Sequence, residues 1–167
     1  KQGAVESPLI FCLFINSLLR YLHDSNVGIT TGYDTSNCCG FADDLALFTS
    51  SPNPKVAEGQ HQLLLQRLAD FTTWANIQVN ISKCAISAHN FKTNKSPNTN
   101  HLRINPTQQI PPYTKDQPYK YLGVRLTLSG NMSAEKEYIR RKVNESTQYL
   151  YSTVYLLAQV NTLINMC

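Results

Sequence analysis

The sequence has no apolar run long enough to cross a membrane. Its longest such run, Leu9 to Ile15, is interrupted by Asn16, whereas a transmembrane helix needs about 20 mostly apolar residues. No secretory signal peptide is recognisable either. We therefore interpret the Asn-x-Ser/Thr glycosylation sequons as chance matches. These absences lead us to expect an intracellular protein without a membrane partner.

The five cysteines lack the spacing of a metal site or of a disulfide framework. Cys38 and Cys39 are adjacent, and no two cysteines form a C-x-x-C motif. Zinc sites and small disulfide-bonded domains are usually recognised by such regular spacings. The cysteines thus indicate a reducing compartment and no particular chemistry.

Acidic residues are scarce in the second half of the chain. Residues 1–82 carry four basic and seven acidic side chains, a net charge of −3, whereas residues 83–167 carry 11 basic and four acidic ones, a net charge of +7. A polyanion such as nucleic acid would therefore bind the C-terminal half. A surplus of Lys and Arg is, however, usually just a solvated face, so charge alone does not establish nucleic-acid binding.

The chain is long enough and apolar enough for one core, with 167 residues of which 42% are hydrophobic. It begins without Met and stops within an apolar helical pattern, so we expect a piece of a larger domain. The predicted elements are a helix over 8–24 capped by Ser7, a hairpin over 38–41 and 45–49, a helix over 53–76, strands over 77–81 and 84–89, short strands around 102–104 and 119–128, and a helix beginning at Ser133. This order predicts an α+β fold.

The strongest chemical signal is Phe41-Ala42-Asp43-Asp44, which places two adjacent carboxylates between two β-prone apolar runs, at the tip of the predicted hairpin. Burying such dense negative charge is costly unless a cation relieves it. Carboxylates are preferred ligands of Mg²⁺, whose other ligands in two-metal nucleotidyl transfer are water and substrate phosphates. The alternative interpretation is an exposed turn, where Asp is common.

Four segments together resemble the motifs of reverse transcriptases of the non-LTR retrotransposon (LINE) type, in the order that this family has. They are QGAVESPLIF at 2–11, similar to motif B, FADD at 41–44, similar to motif C, IQVNISK at 77–83, similar to motif D, and KYLGV at 120–124, similar to the primer-grip segment. Any one of them can arise by chance, but the shared order identifies the chain as a member of this family. One departure is Glu6, an acid where many members carry an apolar residue.

The resemblance implies a polymerase palm over 1–128, an antiparallel sheet with helices packed on one face, followed by the start of a helical thumb over 129–167. It implies an RNA-directed DNA polymerase that extends a DNA primer on an RNA template with dNTPs and two Mg²⁺ ions. Motif A, which holds the family's first catalytic Asp, precedes motif B and is not in this sequence. We therefore expect the fingers, motif A and the rest of the thumb to be partners, and the isolated chain to be inactive. LINE-type elements imply nuclear and cytoplasmic locations.

The resemblance also assigns roles to individual residues. Asp43 would bind the metal ions with support from Asp44, and Lys83 would stabilise or protonate the leaving group. The implied nucleotide-binding residues are Gln2, Gly3, Phe41 and Lys83, the implied primer-grip residues are Tyr121, Leu122 and Gly123, and the implied contacts to the nucleic-acid backbone are Lys136, Arg140, Arg141 and Lys142. Since one triphosphate must meet them, we predict that Gln2, Gly3 and Lys83 lie on the same side of the sheet as the two acids.

Each motif has a simpler interpretation. Gln2-Gly3 can be an ordinary turn before a helix, Lys83 a solvated surface residue, the 121–123 segment a strand with a Gly bulge, and the basic stretch a solvated helix face. Two other functions therefore stay open: a non-catalytic nucleic-acid-binding remnant of a retroelement, and an unrelated protein with an acidic turn.

Overall fold

The computed structural model describes residues 5–90, 92–93, 95–96 and 98–164, and their side chains except those of 108 and 150–164. The chain divides into two compact units, Lys1–Lys115 and Asp116–Cys167. In chain order the elements are α1 (Ser7–His23), β1 (Ile29–Thr31), β2 (Asp34–Ser36), β3 (Cys38–Phe41), β4 (Asp44–Leu47), α2 (Pro54–Trp74), a 3₁₀ turn (Ile81–Lys83), β5 (Arg103–Asn105), β6 (Gln108–Gln109), β7 (Tyr119–Tyr121), β8 (Val124–Leu126) and α3 (Ser133–Ile164). The predicted α+β class is confirmed.

The strands pair as four separate antiparallel hairpins within the described residues: β1 with β2, β3 with β4, β5 with β6, and β7 with β8. The single antiparallel sheet expected for a palm does not form there. Each hairpin joins strands that follow one another closely in sequence, whereas a larger sheet needs pairing between distant segments. No helix in the part of the chain that the structure describes has the length and apolar character needed to span a membrane.

The main core of the first unit lies between α1, α2 and the β3–β4 hairpin. Its buried side chains recur three or four residues apart on each helix and therefore form one face per helix. They are Leu18, Leu22, Leu64, Leu68 and Phe71. Cys38, Leu45 and Leu47 of the hairpin pack against this cluster. The helices thus hold one face of the hairpin that carries Asp43.

A second apolar cluster joins α2 to β5, and its buried residues are Leu65, Ile86, Leu102, Ile104 and Ile110. Gln62 reinforces this contact. Its side-chain amide donates to the carbonyl oxygen of Arg103 over 2.9 Å and accepts from the N–H of Arg103 over 3.2 Å. The side chain of Gln62 therefore satisfies the backbone of an edge strand as a neighbouring strand would.

Capping signals predicted α2 well and α1 less well. The Asn53 side chain accepts a hydrogen bond from the N–H of Lys55 over 3.0 Å, so the predicted N-cap of α2 is confirmed. The prediction that Ser7 caps α1 is wrong, because Glu6 is the cap residue and Ser7 is the first helical residue. Pro8 is tolerated anywhere in the first turn, where N–H groups have no intrahelical acceptor, so it does not determine the first residue of the helix.

The strands predicted at 77–81 and 84–89 do not form. Val79 and Ile81 pack against the apolar clusters, whereas Ile77 is 41% exposed. The alternating apolar residues therefore attach this segment to the core, but no neighbouring strand among the described residues pairs with it. In the next segment only Ile86 makes a bridge, to Pro112. Conversely, the sequence does not predict β1 and β2, because apart from Ile29 their residues are polar and show no apolar alternation.

Candidate active site

The β3–β4 hairpin places Asp43 at its tip. Cys38 pairs with Leu47 and Phe41 pairs with Asp44, so the turn consists of Ala42 and Asp43 alone. The predicted hairpin is thus present, although Asp44 is the first residue of β4 rather than part of the turn. Ala42 has a φ of +51°, a left-handed conformation that is unfavourable for a residue with a Cβ and that marks a strained tip.

The two faces of this hairpin differ. Residues 38, 40, 45 and 47 form the inner face against the helices, and a Cβ added to Gly40 would meet the Leu19 side chain at 3.3 Å. Because side chains alternate along a strand, Phe41 and Asp44 lie on the outer face, where both are exposed. The close contact of Gly40 with α1 therefore directs Asp44 outward.

Both carboxylates are exposed in this chain. Because both groups are open to solvent here, they carry no burial cost that a cation would have to relieve, and metal binding by these acids stays a prediction. The exposed ring of Phe41 (64% exposed) stands on the same face as Asp44. The tip thus offers an accessible pair of negative oxygens next to an aromatic surface.

Among the described residues no three side chains of His, Cys, Asp or Glu are grouped closely enough to hold a metal ion. The cysteines near the hairpin do not change this picture. Burial, followed by the charge of Cys39, raises the pKa of the Cys38 thiol, and Cys38 faces inward. A thiol that stays protonated is a poor metal ligand. Oxygen ligands from Asp43 and Asp44 are therefore the donors that this site offers to a cation.

Lys83 ends the 3₁₀ turn Ile81–Lys83 rather than a strand, and its N–H donates to the carbonyl oxygen of Asn80 over 3.0 Å. It is exposed and belongs to the same compact unit as the two acids. Gln2 and Gly3 lie outside the described residues. Glu6, at the start of α1, is exposed. The placement of Gln2, Gly3 and Lys83 on the side of the acids stays a prediction.

In the second unit, β7 and β8 form a hairpin whose turn is Leu122-Gly123. Leu122 has a φ of +49° and Gly123 a φ of +86°, the combination of a two-residue turn with a preference for Asn-Gly. The alternative of a strand with a Gly bulge is therefore wrong. Leu122 is both strained and 46% exposed, a position where Leu is unfavourable unless function requires it.

The basic residues on α3 do not form one surface. At 100° per residue, Lys136 and Arg140 lie on one side of the helix, while Arg141 and Lys142 are 140° and 120° from Lys136. Glu137 pairs with Arg140 at 2.6 Å, and Glu145 pairs with Lys142 at 2.8 Å. These exposed ion pairs are weak enough to be exchanged for phosphate contacts.

Three residues of the second unit escaped the sequence analysis. Arg125, Glu135 and Tyr138 form a half-buried cluster between β8 and the first turns of α3. The only sequence signal is a Glu near the start of a predicted helix, where the helix dipole favours a negative charge. Nothing local relates Glu135 to an Arg ten residues earlier.

A family model described as reverse transcriptase (RNA-dependent DNA polymerase) matches residues 1–126. The chain belongs to the reverse transcriptase family. The chain is also similar to the retrovirus-related Pol polyprotein from a type-2 retrotransposable element of Drosophila melanogaster, with 28% identity over 146 residues that cover 79% of this chain. The chain spans 12% of the length of that relative. No solved structure matches it.

Membership of the family removes one alternative interpretation, that of an unrelated protein with an acidic turn. The match covers all four motif segments completely, at 2–11, 41–44, 77–83 and 120–124. The predicted family is therefore confirmed, and it is a family of RNA-dependent DNA polymerases.

Proposed function

We propose that the chain is part of the RNA-directed DNA polymerase of a non-LTR, LINE-type retrotransposon, which extends a DNA primer on an RNA template with dNTPs. The observation that carries this proposal is the exposed pair Asp43 and Asp44 on the β3–β4 hairpin, in a chain matched by the family model over residues 1–126. Similarity to a Pol polyprotein of a retrotransposable element supports the type of element. The location proposed from the resemblance is intracellular, both nuclear and cytoplasmic.

The donor chemistry of the hairpin fits Mg²⁺, because two adjacent exposed carboxylates supply hard oxygen ligands and leave room for water and phosphate oxygens. Asp43 would hold the two ions of a two-metal mechanism, and Asp44 would support them or provide an outer ligand. When bound, the ions would lower the pKa of the primer 3′-hydroxyl and neutralise the triphosphate as pyrophosphate leaves.

The remaining assigned residues would bind and orient the substrates. The exposed ring of Phe41 would contact the incoming nucleotide beside Gln2 and Gly3, and Lys83 would donate a proton or a positive charge to the leaving pyrophosphate. Palm and thumb would divide at 128/129. The primer-grip hairpin and α3 belong to the same compact unit, Asp116–Cys167, and the proposed boundary lies between them.

Primer extension on poly(rA) with Mg²⁺ tests this proposal. A longer polypeptide that adds the fingers and motif A to this chain is expected to extend the primer, whereas the 167-residue chain alone is expected to bind nucleic acid weakly and not to extend it. The reason is that a two-metal site needs a further acid to hold its geometry. Extension by the chain alone would show that this reason is wrong. Failure of the longer polypeptide, with nucleic-acid binding retained, would instead support the non-catalytic remnant.

Lys136 and Arg140 are expected to dominate backbone contacts of the second unit, since they share one side of α3. Replacing either with Ala should weaken binding of an RNA–DNA duplex and lower the slope of log K against log salt by about one per lost phosphate contact. Glu137→Gln should strengthen binding, because it releases Arg140 from its ion pair. Arg141→Ala serves as the comparison on another side of the helix. Equal losses of duplex affinity in the Arg141→Ala and Arg140→Ala variants would contradict this assignment.

Leu122→Asn separates strain from function at the primer-grip hairpin. Asn tolerates the left-handed conformation of residue 122, so the substitution should stabilise the folded chain by about 1 kcal/mol in urea unfolding. It should nevertheless raise the KM for primer–template several-fold, because it removes the apolar tip. Leu128→Asn is the matched control, since Leu128 is 42% exposed and lies outside the turn. An unchanged KM with Asn at position 122 would exclude a primer contact by Leu122.

A further inference from the structure

A buried carboxylate joins the β7–β8 hairpin to α3. Glu135, in the first turn of α3, is 8% exposed. Its Oε2 accepts a hydrogen bond from the backbone N–H of Arg125 over 2.7 Å and lies 3.5 Å from Nη1 of the same residue. Every second N–H in an antiparallel strand faces away from its partner strand. Glu135 therefore satisfies an N–H at the free edge of β8 and meets the charge of Arg125 as well.

The guanidinium of Arg125 is fixed by an aromatic ring as well as by charge. Its Cζ lies 3.6 Å from the centre of the Tyr138 ring, in the second turn of α3. Nη1 is buried and has no hydrogen-bond acceptor within the described residues. Stacking and the charge of Glu135 thus hold this group, so the flat shape of Arg matters and Lys is a poor substitute.

The cluster and the basic side of α3 face opposite directions. Tyr138 lies 200° around the helix from Lys136, whereas Arg140 lies only 40° from it. Lys136 and Arg140 therefore remain accessible, whereas the opposite side of the same two turns of α3 contacts the hairpin. An isolated two-stranded hairpin is marginally stable in water, so this contact determines where the strained Leu122-Gly123 tip stands relative to the basic side.

We propose that Arg125, Glu135 and Tyr138 form a positioning clamp, which makes the β7–β8 hairpin and the start of α3 one rigid element for holding the primer–template duplex. This inference rests on the proposed polymerase function. The three residues touch the hairpin and the helix rather than the duplex, so they are positioning residues. They let the Leu122 tip and the Lys136–Arg140 side engage the same duplex at a constant separation.

The test uses the longer polypeptide that extends primers, with the variants Glu135→Gln, Arg125→Lys and Tyr138→Leu. Each is expected to raise the KM for primer–template about tenfold, with kcat and the KM for dNTP changed less than about threefold. Tyr138→Phe keeps the aromatic ring and should have the same KM for primer–template as the parent. Asp116→Asn removes an exposed acid from the same compact unit and is the control for lost negative charge.

Amide hydrogen exchange provides a readout that does not depend on activity. Glu135→Gln should speed exchange at the Arg125 N–H, because a neutral amide is a weaker acceptor than a carboxylate. An active polypeptide with faster exchange but unchanged primer–template KM overturns the clamp and leaves the proposed function intact. If the variants lower both kcat and the melting temperature and leave the KM for primer–template unchanged, the clamp is overturned in favour of a purely structural contact. A parent polypeptide that binds duplex but never extends a primer overturns the proposed function, and this inference with it.

Discussion

Asp43→Asn is expected to lower kcat for primer extension by a factor on the order of a thousand or more, in the longer polypeptide that extends primers on poly(rA). The amide keeps the shape of the side chain at the hairpin tip but loses the negative charge that would hold the cations. Since Asp43 is exposed and lies in a turn, the substitution should leave folding unchanged. Template binding should also be largely retained, because it depends on basic residues elsewhere.

Two comparisons make this result specific. Asp34→Asn changes another exposed acid on a hairpin strand, β2, and should leave kcat unchanged. Asp44→Asn should reduce kcat less than Asp43→Asn, because Asp44 is assigned a supporting role. Raising the Mg²⁺ concentration should recover part of the activity of the Asp44 variant, since weaker cation binding is overcome by mass action. Full extension by the Asp43→Asn protein would exclude Asp43 as the metal-binding acid.

Leu64→Ala is expected to destabilise the first unit by about 3–5 kcal/mol. Leu64 is fully buried at 0% exposure, in the cluster that also holds the inner face of the β3–β4 hairpin. Truncating it removes apolar contacts and leaves a cavity between α1 and α2. Because a domain is typically stable by only about 5–15 kcal/mol, this loss should leave a marginal fold and a poorly positioned Asp43.

Urea unfolding of the 167-residue chain, followed by circular dichroism, measures this effect. The neighbouring residue provides the control, because Leu63 is 38% exposed and Leu63→Ala should change the free energy of unfolding by about 0.5 kcal/mol or less. Comparable losses of unfolding free energy from Leu64→Ala and Leu63→Ala would mean that α2 does not bury the face on which Leu64 lies.

The hairpin with Asp43 at its tip could be predicted because its signals are local. Two β-prone runs flank a short turn, and only a few adjacent residues determine that they pair. The extent of α2 followed similarly from its capping residue Asn53 and from apolar residues at helical spacing. The family was recognisable because four short segments occur in a fixed order, a property of the sequence alone.

Burial and pairing could not be predicted, because they depend on segments that are distant in the sequence. The alternation at 77–81 resembled a strand, yet whether a strand forms depends on a neighbour that can complete the hydrogen bonds. The acids lie between two apolar runs, yet Asp44 faces outward because the opposite face of the hairpin packs against the helices. The pairing of Arg125 with Glu135 likewise depends on how the β7–β8 hairpin packs against α3.

The sequence by itself determined the family, the order of most elements and the residues that carry charge at the hairpin tip, since dihedral preferences act within a few residues and motif order is read along the chain. Only the tertiary structure decided which face of the hairpin is open, that Lys83 ends a 3₁₀ turn, and that Glu135 meets Arg125. The physical reason is that exposure and charge pairing depend on distances across the fold. Those distances are set when α1, α2 and α3 pack against their hairpins.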